Sequence, residues 1–247
     1  VIRSSAFDSR ASSDSERMTL DGAVNKTAIM LAILISTAAI SWNFPSPFIV
    51  MLSYIGIFAA AIASVVTFGF WMPFIGFIIN PRPYLAPKTW LVFAFGEGFF
   101  IGLISLSFET MFPGIVLEAV SLTFCVAATL LFLYKSGIVK PSQNFVLMVC
   151  SAVFGIFLFY IGTLIYSLVT GVSPEIFSGS SNASIGLSLF IVAMAAFSLV
   201  LDFDIIEQSA EYGSPKYMEY FGAMALVTTL IWLYIEILRL LAKFRSR

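Results

Sequence analysis

The 247 residues are 60% hydrophobic and 11% charged, with 26 Phe and a mean hydropathy of +0.98, whereas soluble domains carry about 25% charged residues, so the chain is an integral membrane protein. Its formal charge of -1 leaves no basic stripe to neutralise phosphates, which excludes a nucleic-acid partner. The complete lack of His excludes Ser-His triads and dyads, Cys-His nucleophiles, HExxH zinc sites and histidine-ligated haem, and the chain reads as a non-enzyme.

Residues 1–25 gather Arg3, Asp8, Arg10, Asp14, Glu16, Arg17 and Asp21 among many Ser. They read as a polar, mobile tail ahead of a seven-helix domain over 26–247. No clear cleavage site precedes the first apolar run, which therefore reads as a retained helix. Spanning a bilayer takes about 20 apolar residues, and seven charge-poor runs fall near 26–42, 48–79, 90–108, 115–134, 144–170, 185–203 and 219–241. The class is all-α, polytopic, with seven transmembrane helices. The second run is too long for one straight helix, and Pro73 offers a kink or an end. Glu97 sits inside the third, in Phe95-Gly96-Glu97-Gly98-Phe99-Phe100-Ile101-Gly102. A lipid-facing carboxylate there would cost a few kcal/mol, so it is expected to face the bundle interior; the alternative is a structural hydrogen bond to a neighbouring helix. Gly98 and Gly102 form a small-residue stripe for close helix contact. Glu109 and Glu118, at the end of the third run and the start of the fourth, are expected to snorkel to the outer interface. Cys125 and Cys150 lie in apolar runs and read as buried, inert thiols.

Seven crossings put Arg3, Arg10, Arg17, Lys26, Arg82, Lys88, Lys135, Lys140 and Lys216 on the N-terminal side, and Arg239, Lys243, Arg245 and Arg247 on the other. Nine against four favours a cytoplasmic N-terminus. The tight basic C-terminal group pulls the opposite way, a conflict that a final segment entering and returning would resolve. Residues 204–219 carry Asp204, Glu207, Glu211 and Glu219 against Lys216. They read either as an acidic cytoplasmic mouth that concentrates cations or as a merely solvated loop.

Two acids lie where ordinary surface charges do not. Asp202 follows Leu199-Val200-Leu201 and is deeper than Asp204, which points about 200° away around a helix. Glu236 interrupts Trp232-Leu233-Tyr234-Ile235-Glu236-Ile237-Leu238, and an ionisable group inside a membrane helix is a functional candidate by default. Its bland reading is an ion pair with Arg239, one turn on. If Asp202 and Glu236 meet, two like charges in a poorly solvated site do not readily ionise together. Sharing one proton would then hold two helices together, and losing it would repel them or admit calcium, a hard ion suited to carboxylate oxygens. Asp202 and Glu236 are thus the candidate latch and calcium ligands, with Asp204, Glu207 and Glu97 as supporting acids.

Several stretches taken in order resemble the transmembrane Bax-inhibitor-motif family, particularly a bacterial branch. They are Met18-Thr19-Leu20-Asp21-Gly22 with Lys26-Thr27, Glu97-Gly98 to Gly102, Phe108-Glu109, Pro113-Gly114-Ile115-Val116, Tyr134, Asp202-Phe203-Asp204-Ile205-Ile206-Glu207, and Trp232 through Leu241. The resemblance covers about 17–245. It implies two groups of three helices around a central seventh, a bacterial inner-membrane location, and a pH-sensitive calcium leak. It also implies protection from cell death in eukaryotic members and modulation of a membrane protease in bacterial ones. In calcium-leak members an acid ending the sixth helix pairs with one in the seventh. The first carries over to Asp202. By pattern the second is Glu236, with Glu in place of Asp; aligned by length, it falls at Thr228 or Thr229, which cannot ionise. Arg82, in Asn80-Pro81-Arg82-Pro83, is a candidate cationic partner or else an interfacial anchor.

The leading function is therefore a pH-gated calcium leak, with calcium as transported ion rather than tightly bound cofactor. The alternative is a non-conducting regulator of a membrane protease or other integral membrane partner, dependent on the polar tail and indifferent to the two acids. Third is a proton-coupled carrier of a small solute using Glu97, although no repeated broken helix marks a substrate site. An intramembrane aspartyl protease lacks its Gly-x-Gly-Asp signature. Asn182-Ala183-Ser184 fits an N-glycosylation acceptor on an outer loop.

Overall fold

The computed structural model describes residues 17–68 and 82–247. Helix α1 (Leu20–Asn43) starts where the Thr19 hydroxyl accepts from the Gly22 N–H, with Asp21 in the first turn. This cap and a carboxylate at the positive end of the helix dipole start the helix inside the stretch read as tail, which corrects that boundary. Hydropathy misses such a start because residues 20–26 are mixed in polarity. Helix α2 (Pro47–Phe68) opens on Pro, whose fixed φ suits a first turn; the rest of the long second run, Pro73 included, lies outside the described residues. A 3-10 turn, Pro83–Leu85, leads into α3 (Ala86–Met111). Helix α4 (Ile115–Lys135) follows Gly114, and α5 (Gln143–Thr170) ends on Gly171 at φ 71°, a left-handed cap that Gly adopts without strain. A one-turn helix (Glu175–Ser178) precedes α6 (Asn182–Glu211), and α7 (Tyr217–Arg245) closes the set. All seven numbered helices are long and apolar enough to cross a membrane.

Helices α1, α2 and α3 form one group and α4, α5 and α6 another, while α7 packs on α1, α3, α4 and α6. The expected two trios around a central seventh helix are what the chain forms. Half of the most apolar stretch of α6 (50%) and of α7 (56%) is buried within the protein, against 11% for α5. The α6–α7 seam is therefore the most enclosed place in the bundle. Helix α7 is unbroken. Near its end Arg245 donates to the Pro113 carbonyl at 2.7 Å and pairs with Glu118 at 2.7 Å beside the α3–α4 turn. Met18, in contrast, donates its N–H to Ser214 O in the α6–α7 turn at 2.7 Å. The two ends of the described chain thus lie at opposite ends of the bundle, which overturns a final segment that enters and returns.

The glycine stripe of α3 packs as expected. A Cβ on Gly98 would lie 2.6 Å from Leu34 O, and one on Gly102 2.8 Å from the Ala38 Cα, both on α1. Cys125 and Cys150 are free but exposed, contrary to the expected burial. Both lie on the outer faces of helices whose apolar surface meets lipid, so an apolar run alone did not distinguish lipid contact from core. Glu109 accepts from the N–H groups of Gly114 (2.6 Å) and Val116 (3.1 Å), so it caps α4, while Glu118 stays exposed and pairs with Arg245.

Candidate functional site

On α6, Ser184, Ser188, Ile191, Ala195, Ser198, Asp202 and Ile206 are all buried, and their spacing of three or four draws one stripe down the helix. On α7 the buried stripe holds Gly222, Thr229, Leu233, Glu236 and Lys243. Facing each other, they make a seam with polar groups toward both ends. Ala195, Leu199 and Leu233, all fully buried, plug its middle.

Asp202 is 7% exposed, and among the described residues its Oδ2 has no hydrogen-bond partner. Thr229 of α7 lies against the carboxyl, and its own hydroxyl donates to Ala225 O at 3.2 Å. That hydroxyl can accept from a protonated Asp202 or turn to donate to an ionised one, but it carries no charge to offset a buried carboxylate. No ion pair among the described residues involves Asp202.

Glu236, 2% exposed, sits in different company. Tyr160 of α5 donates to its Oε1 at 2.7 Å, and Arg239 pairs with the same oxygen at 3.1 Å. The Arg239 guanidinium lies 5.0 Å from the Phe177 ring centre and 5.9 Å from that of Tyr160, a favourable cation–π arrangement. Lys243, also buried, donates to Ser188 Oγ at 2.8 Å and Ser184 O at 3.3 Å. The structure does not bring Asp202 and Glu236 together. Glu236 lies seven residues beyond Thr229, about 10 Å along the helix, because the short α6–α7 turn sets the register of the antiparallel pair. The residue facing Asp202 is the one found by length, Thr229, and the Glu236–Arg239 pair is the one found by helical spacing.

A family model described as Bax inhibitor 1 like matches residues 1–246. The chain belongs to this Bax inhibitor 1-like family. No curated protein and no solved structure matches it.

The remaining acids of this Bax inhibitor 1-like chain are dispersed. The Tyr134 hydroxyl of α4 donates to Glu207 and lies 3.3 Å from Asp204 Oδ1, and Gln208 donates to Asp204 Oδ2 at 2.6 Å. Both supporting acids of α6 therefore turn toward α4 rather than Asp202. Glu97 is half-buried on the side of α3 that carries Phe93, Ala94 and Ile101 into clusters with α7. Among the described residues no hydrogen bond engages it. Arg82 is exposed at the entry to the 3-10 turn, and no ion pair among the described residues joins it to Asp202. Among the described residues no three His, Cys, Asp or Glu side chains group to hold a metal ion.

Sequence reasoning assigned Glu219 to the acidic mouth, yet it is 2% exposed and accepts from Thr19 N and Thr19 Oγ1, both at 3.1 Å. In the sequence Tyr134 carries only a family resemblance, and Tyr160 carries no signal at all. Neither stands out in an aromatic-rich helix until its hydroxyl is seen to meet a carboxylate.

Proposed function

We propose that this Bax inhibitor 1-like membrane protein is a proton-gated cation leak, with calcium as the transported ion, in which Asp202 alone serves as the titrating latch. The observation that carries the reading is the Asp202 carboxyl, enclosed between α6 and α7 with one oxygen lacking a partner among the described residues. A protonated carboxyl fits this closed seam, since it can donate to Thr229. An ionised one leaves a buried charge without a counter-charge, which is costly in a dry interior. Loss of the proton therefore favours parting of α6 and α7, or entry of water and a hard cation to the carboxylate. The sign follows: flux rises with pH as Asp202 ionises. Glu236 is already neutralised by Arg239 and takes no part in this step.

The test is calcium flux into proteoliposomes at pH 6 and pH 8. The unaltered chain should conduct more at pH 8. Asp202→Asn, fixed in a neutral form, should stay low at both, and Glu236→Gln should keep the pH dependence. Equal pH dependence in Asp202→Asn would remove Asp202 from the mechanism. A folded protein with no flux above empty liposomes would sink the leak and favour the non-conducting regulator of a membrane partner.

A further inference from the structure

Residues 17–19 run across the α6–α7 hairpin, and residues 20–22 continue them as the first turn of α1. Arg17 forms an antiparallel bridge with Pro215, and the Met18 N–H donates to Ser214 O at 2.7 Å. Thr19 then does two things at once. Its hydroxyl caps α1 by accepting from Gly22 N at 3.0 Å, and its N–H and hydroxyl meet the buried Glu219 carboxylate of α7, each at 3.1 Å. Gly22 is the residue that allows this approach, because a Cβ there would overlap the Glu219 carboxylate. The result is a clasp between the start of α1 and the start of α7.

The clasp delivers one side chain to the seam. Met18 is 4% exposed and packs with Ala23 and Ile206, against Ala210, Met218 and Leu226. Ile206 is one helical turn beyond Asp202 on the same stripe of α6, and Leu226 precedes Thr229 by three on α7, so Met18 covers the layer next to the Asp202–Thr229 contact. Between Met218 and Leu226, α7 leaves a gap at Gly222, whose Cβ would come 2.8 Å from Ile206 Cγ1 and 4.0 Å from Met18 Cε. An unbranched thioether fills such an irregular gap.

We propose that residues 17–22 are a strap that closes the N-terminal end of the α6–α7 seam, with Met18 as its stopper one turn from Asp202, and that its release opens Asp202 to water and cations. The inference rests on Asp202 as the titrating acid of the leak. It adds the gate that decides when that acid meets solvent. The leading part of the strap, residues 17–19, is held at the bundle's end by a few hydrogen bonds and the Met18 side chain, so it can open locally without parting the helices.

The test uses the full chain in lipid nanodiscs, with Cys125→Ser and Cys150→Ser and a reporter thiol at Thr229→Cys. A charged, membrane-impermeant methanethiosulfonate reagent is the probe. With Met18 in place the thiol should react slowly. Met18→Ala should accelerate it by roughly tenfold or more, because opening of the strap limits access, and Met18→Leu, which keeps the bulk, should not. Thr19→Val, which loosens the clasp without altering Met18, gives a second route to the same acceleration should Met18→Ala fold poorly. Equal rates in the parent, Met18→Ala and Thr19→Val would overturn the strap. Calcium flux of Met18→Ala with Thr229 restored separates the two ideas. Faster labelling without flux in either chain keeps the strap and removes the leak. Unchanged labelling, alongside flux that still depends on Asp202, removes the strap and keeps the leak.

Discussion

Glu236 receives a hydrogen bond from Tyr160 and an ion pair from Arg239, whereas Asp202 has an oxygen with no partner among the described residues. The same functional group therefore does different work at two depths of one seam. Removing the Glu236 carboxylate strands the Tyr160 hydroxyl and takes away a negative charge that acts on buried Lys243. Glu236→Ala should accordingly cost about 3 kcal/mol. Glu236→Gln, which still accepts from Tyr160, should cost about 1 to 2 kcal/mol, and Arg239→Ala, which leaves the buried Glu236 carboxylate without its counter-charge, about 3 kcal/mol. Reversible unfolding in mixed micelles measures the order; three equal losses would refute the cluster as described. At this scale the sequence was legible where the signal is local. Burial of Asp202 follows from its place after an apolar run, and Glu236–Arg239 from helical spacing. The facing of Asp202 by Thr229 was open to length but not to charge pattern, because register across a turn is a property of two helices.

Among the elements, α3 is the one whose packing depends most plainly on missing side chains. Gly96 meets Gly56 of α2, while Gly98 and Gly102 meet α1. Gly98→Ala forces a methyl group against Leu34 O and should cost about 1 to 3 kcal/mol by overpacking. Gly155→Ala, on an α5 glycine with open space around it, should be neutral or slightly stabilising through helix propensity. Thermal unfolding of both variants in one detergent checks the contrast, and equal effects would mean that α1 and α3 do not approach so closely. Seven apolar runs gave seven helices because bilayer length and hydropathy are strong constraints. What they missed was the start of α1, set by a capping hydroxyl, and the outward facing of Cys125 and Cys150. In lipid, both faces of a helix can be apolar, so periodicity says little about which one is core.

For the whole molecule, Met18 lies on the α6–α7 turn and Arg245 on the α3–α4 turn, so an odd number of crossings separates the ends. Single cysteines at Glu211 and Ser246, in a chain lacking Cys125 and Cys150, should be labelled from opposite sides of sealed vesicles. Labelling from one side would contradict the topology. Two trios around a central helix came from family resemblance, since nothing in a run of apolar residues says which helix sits in the middle. That arrangement also bears on how the protein is made. Chains emerge from the ribosome N-terminal end first, yet the helix on which both trios pack follows all six of the others. Until α7 enters the bilayer, Ser184, Ser188 and Asp202 lack the partner that encloses them. Insertion must hold a half-assembled bundle with a polar groove toward lipid, and α7, arriving after them, acts as the keystone.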